Sequence, residues 1–139
     1  MRFMVIMFPG DKPEKGILPP PEFFAKMTKF NEELLKAGVM LACDGLHPSS
    51  KGARVSFRDG KRTVTDGPFA EAKEVIGGYW LLDVKSKEEA VEWASRCPNT
   101  GDEMLEIRQV FEMEDFSPEI QAVAAGEVEL RAQLEARGR

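Results

Sequence analysis

TVTDGPFAEAKEVIGGYWLLDV, residues 63–84, is the stretch whose reading decides the fold. It opens on the end of a strand and turns sharply at Asp66, Gly67, Pro68 and Phe69. A short polar segment follows, and residues 75–84 read as a long strand. Successive strand side chains point to opposite faces, so the two registers can be compared directly. Val75, Tyr79 and Leu81 lie on one; Ile76, Trp80, Leu82 and Val84 lie on the other. A sheet with one wet face alternates apolar and polar residues. This strand does not, so both of its faces need cover.

The flanks repeat the theme. Residues 2–8, RFMVIMF, are almost wholly apolar and read as a central strand closed by Pro9 and Gly10. Residues 11–19 read as a polar loop ending in prolines. Residues 22–37 read as a helix, with Phe23, Met27, Phe30, Leu34 and Ala37 forming one stripe and Gly38 as its stop. Residues 39–43 form a second strand. Residues 53–58 and 61–65 pair through Asp59-Gly60, a favoured two-residue hairpin turn. Ser86 with Glu89 makes a capping box for a helix over 87–96, and residues 105–111 are the last strand. From Ser117-Pro118 a weakly amphipathic helix runs through 139, interrupted by Gly126.

The order β-α-β, hairpin, β-α-β defines an α+β, ferredoxin-like plan with an inserted β-hairpin and a C-terminal helix. Two helices can cover one sheet face. A second copy of the sheet would cover the other, giving a homodimer closed as an α+β barrel.

The Asp-Gly-Pro-Phe turn and the strand after it resemble the DGPF subgroup of the YCII-related domain family. That resemblance spans residues 1–116 and implies a dimeric α+β barrel; residues 117–139 fall outside it as a helical extension that braces the dimer or lies on the surface. It also implies a non-catalytic alternative, a regulatory protein associated with an extracytoplasmic-function sigma factor. The broader family carries a His–Asp pair, with histidine on the first helix and aspartate after the second. The first helix here has no histidine, and Arg96-Cys97-Pro98-Asn99 follows the second. That pair does not carry over.

Composition narrows the function further. A chain of 139 residues reads as one core. Its net charge of −5 argues against direct nucleic-acid contact, which needs a basic stripe. Cys43 and Cys97 lack a paired spacing and fit reduced thiols in the cytoplasm. The apolar N-terminus is too short for a leader and reads as a strand; no run reaches membrane-spanning length. No phosphate loop, dinucleotide fingerprint or haem-attachment motif is present, and one histidine with two distant cysteines makes no ordinary zinc site. No cofactor or metal is expected.

Chemistry converges on one region. His47 is the sole histidine, and imidazole changes charge near neutral pH, which makes it the acid–base candidate. Asp66 either accepts backbone N–H bonds within its own turn or presents its carboxylate beside His47. Arg54, Asp44 and Phe69 are the candidate ligand-binding residues: an arginine for a carboxylate or phosphate, a carboxylate near His47, and an aromatic anchor. Each also has a structural reading, as edge charge, loop polar group or core contact. Two functions follow: a small-molecule pocket near the turn and His47, with or without acid–base turnover, and the sigma-factor-associated regulator.

Overall fold

The computed structural model describes residues 1–138; Arg139, the end of the expected tail helix, lies outside the described residues. The main sheet is antiparallel, in the order β2 (Met40–Gly45), β5 (Gly78–Asp83), β1 (Arg2–Phe8), β6 (Met104–Gln109). β3 (Ala53–Arg58) and β4 (Lys61–Asp66) form a separate two-stranded ribbon between β2 and β5 in sequence. Helices α2 (Pro21–Lys36) and α3 (Lys87–Ala94) supply the core layer. This is the ferredoxin-like α+β plan with its inserted hairpin.

β1 holds the centre because both of its neighbours bring apolar side chains into register with it. Phe3 sits opposite Leu82, and Val5 opposite both Trp80 and Ile107. Phe30 and Leu34 of α2 and Ala90 of α3 close this face. The Phe30 ring meets Trp80 edge-on at 5.9 Å, and the Trp80 indole N–H donates to Asn31 Oδ1 at 2.8 Å. A buried indole keeps its partner there. The opposite face carries Met4, Ile6, Tyr79 and Leu81, all half-buried. No residue of the tail helices α4 (Pro118–Val123) and α5 (Gly126–Ala136) is buried.

Local signals explain the boundaries. Pro21 opens α2, and Gly38, at φ 73°, ends it. Ser86 Oγ accepts from Glu89 N at 3.1 Å, capping α3. Asp59 and Gly60 both take positive φ, 53° and 73°, as a tight hairpin turn demands. β5 starts at Gly78 rather than at residue 75, because Gly77 is drawn into a crossing: its N–H donates to Met7 O at 2.8 Å and its carbonyl accepts from Leu46 N at 2.9 Å. A Cβ on Gly77 would lie 2.6 Å from Pro9 Cγ. Part of the expected polar loop coils into a short helix, α1 (Asp11–Glu14). The expected single tail helix is two, with the break falling just before Gly126, a poor helix former.

Candidate functional site

The Asp66–Phe69 turn is built by close approach. Gly67 N donates to Gly52 O at 3.0 Å, and a Cβ on Gly67 would stand 1.7 Å from the Ser49 carbonyl oxygen. Gly67 is not among the positive-φ glycines. Contact with the Ser49 backbone, not left-handed backbone, is what demands glycine there. The Gly67–Pro68 peptide is cis. The anchoring acceptor is Ser49 rather than Asp66: Phe69 N donates to Ser49 Oγ at 3.0 Å. Ser49 is buried, its N–H donates to Glu14 Oε1 at 2.7 Å, and its hydroxyl donates to Glu14 Oε2. A carboxylate on α1 thus holds the loop that holds the turn. Glu14 and Ser49 carry no sequence signal for this role, since they lie 35 residues apart.

The turn and this loop wall an open cleft of about 420 Å³. His47, Lys51, Arg54, Phe69, Val75 and Ile76 are among the residues lining it. The Arg54 guanidinium lies 3.8 Å from the Phe69 ring centroid, a cation–π stack that orients the arginine. Every side chain in the lining able to carry charge is a base, His47, Lys51 or Arg54, and no carboxylate lines the cleft. His47, Arg54 and Phe69 are therefore brought together. Asp66 is exposed at the foot of β4 and lies outside this lining.

Asp44 faces elsewhere. Its Oδ2 accepts from the Tyr79 hydroxyl at 2.8 Å, and that bond holds the phenol above its ordinary pKa. Both residues line a second cleft of about 460 Å³ beneath α2, walled by Phe23, Met27 and Trp80. Leu46 lines both clefts. Neither thiol is primed for attack. Burial, then Asp44, raises Cys43, while burial, then Glu103, pushes Cys97 up to about 11. Among the described residues no group of three histidine, cysteine or acidic side chains is placed to hold a metal ion, and no helix is long and apolar enough to cross a membrane.

The fold and site define a small α+β protein with paired clefts at one end of a ferredoxin-like sheet. Residues 1–114 match the YCII-related domain, and the chain belongs to that family. An uncharacterized protein of Rhizobium meliloti is 32% identical over 75 residues, which is 54% of this chain; the match spans 60% of that relative's length.

Proposed function

We propose that this YCII-related protein is a cytoplasmic homodimer that binds a small molecule with an anionic group in the cleft formed by His47, Lys51, Arg54 and Phe69. The single observation behind it is the cleft's charge: three bases and no carboxylate, in a chain of net charge −5. Arg54, pre-oriented by its stack on Phe69, suits a carboxylate or phosphate. Val75 and Ile76 offer an apolar floor for the rest of the ligand. Two unpaired cysteines fit a reducing compartment. The half-buried apolar sheet face supports the dimer.

Inorganic phosphate and benzoate are suitable first probes, read by calorimetry and thermal shift. Arg54→Gln and Lys51→Gln are expected to weaken binding about tenfold or more, the scale of a lost charge-assisted hydrogen bond, with little change in melting temperature. Unchanged affinity in both variants refutes the cleft. Proton transfer at His47 assisted by Asp66 is an extension of this reading. It requires energetic coupling of the two, and strict additivity in a double-mutant cycle counts against it. The sigma-factor-associated regulator is the second reading, supported by the apolar side chains left bare on the ribbon and tail. It predicts co-purification of a sigma factor that survives loss of the cleft's bases.

A further inference from the structure

The ribbon β3–β4 has two unlike faces. Residues paired across a ladder share a face, and so do alternate residues of one strand. Ala53, Val55 and Phe57 of β3 therefore lie with Asp66, Val64 and Arg62 of β4. Arg54, Ser56 and Arg58 lie on the other side, opposite Thr65, Thr63 and Lys61. That second face holds three bases, three hydroxyls and no carboxylate, and all of its residues are exposed.

The bases on this face lack counterions. Arg58 stands directly opposite Lys61, and like charges at facing positions of a ladder are destabilising. Among the described residues no carboxylate forms an ion pair with Arg54, Arg58 or Lys61. Arg54 also joins the face to the cleft, where it stacks on Phe69 in a lining that includes His47 and Lys51. Arg54 and Arg58 lie on one strand, roughly 13 Å apart at the usual rise per residue. The basic lining of the cleft thus continues up the ribbon to a second pair of bases beside its turn.

Chemistry selects among extended anions. Single-stranded nucleic acid sites offer aromatic faces for bases to stack on, and the aromatic of the ribbon strands, Phe57, lies on the opposite face. The net charge of −5 adds long-range repulsion of a polynucleotide. An acidic peptide that joins a sheet runs along a strand edge through main-chain bonds, whereas these bases stand off a face. Arginine, lysine and hydroxyl side chains together are the usual donors to phosphate oxygens.

We propose that the face of Arg54, Arg58 and Lys61 extends the anion cleft, and that the ligand is a linear polyphosphate chain running from the cleft toward the ribbon turn. The extended site presupposes the cleft reading above. Calorimetry on the full-length chain, with inorganic phosphate and medium-chain inorganic polyphosphate as probes, is the test. Polyphosphate is expected to bind the wild type about tenfold or more tightly than phosphate, through the added charge-assisted contacts. The double variant Arg58→Gln, Lys61→Gln should lose that gain and keep its phosphate affinity. Because it removes a like-charge pair, its melting temperature without ligand should be unchanged or higher. Arg54→Gln should weaken both probes. Arg62→Gln, on the opposite face, is the control and should weaken neither. Phosphate binding that needs Arg54, with polyphosphate no tighter or indifferent to the double variant, overturns the extension and leaves the cleft standing. An equal loss in Arg62→Gln reduces the effect to net charge and overturns the extension as well. Tighter binding of oligothymidylate or polyglutamate than of polyphosphate at matched charge assigns the face to another partner, with the same result. Failure of the wild type to bind either probe overturns the cleft and the extension together.

Discussion

Ser49 carries more of the site's geometry than any residue with obvious chemistry. It is buried between Glu14 and Phe69: its hydroxyl accepts from Phe69 N and donates to Glu14, and its N–H donates to Glu14 as well. Removing its hydroxyl leaves Phe69 N and one Glu14 oxygen short of partners, each worth about 1–3 kcal/mol when buried. Ser49→Ala and Glu14→Ala are expected to destabilise by that order in urea unfolding. The double variant should fall well short of the sum, since both changes break one network; full additivity would show that Glu14 does not act through Ser49. Gly67→Ala is expected to cost more, because the clash is with backbone at 1.7 Å and nothing flexible can yield. Cys97 supplies a separate check. Buried and pushed up to about 11, it should resist alkylation in the native protein at neutral pH and react fully once unfolded. Fast native modification mapped to Cys97 by mass spectrometry would contradict its packing.

At the scale of elements, one ion pair ties the first strand to the segment leaving the last. Arg2 Nε lies 2.6 Å from Glu112 Oε1, and a second bond joins Nη2 to Oε2 at 3.2 Å. The Arg2 hydrogen bond holds Glu112 below its ordinary value of 4.5. A carboxylate depressed on folding contributes stability that is complete above its unfolded pKa and fades as pH falls through the folded one. Glu112→Gln should therefore lower stability at neutral pH and flatten its decline in the acid range, measured by unfolding from neutral pH to about pH 3, below the ordinary carboxylate range. An identical acid limb in the variant would mean the pair contributes nothing. Elements with local signals were legible in the sequence: β1 from its apolar run, α2 from its stripe, the ribbon from Asp59-Gly60, α3 from Ser86 and Glu89. The start of β5 was not, because Gly77 answers to Pro9 and Met7, far away in the chain. Site residues divide the same way. His47, Arg54 and Phe69 could be singled out by side-chain chemistry, and they share a cleft. Glu14 and Ser49 could not, since their role exists only once α1 meets the loop before β3.

For the whole molecule the governing fact is the sheet's second face. Met4 faces Leu81 and Ile6 faces Tyr79 across the β1–β5 ladder. All four are half-buried, and no residue of α4 or α5 is buried. The homodimer proposed above would cover these half-buried side chains, and a stable partner needs to bury on the order of 1,200 Å² or more in total. The apolar centre of the face lies on β1 and β5, flanked by Arg108 and Glu106 of β6 and Asp44 of β2, and a second copy would present the same relief under two-fold symmetry. In the proposed homodimer Leu81→Lys places a charge from each protomer at the centre of the interface. Association should weaken by about 3 kcal/mol or more, the scale for a buried charge without a partner, while the monomer keeps its helix-side core of Phe3, Val5, Trp80 and Leu82. Light scattering at micromolar concentration should report a wild-type dimer and a folded, monomeric variant. A wild-type monomer would mean that the chain leaves this face in water, and a dimer indifferent to Leu81→Lys would place the contact away from this face.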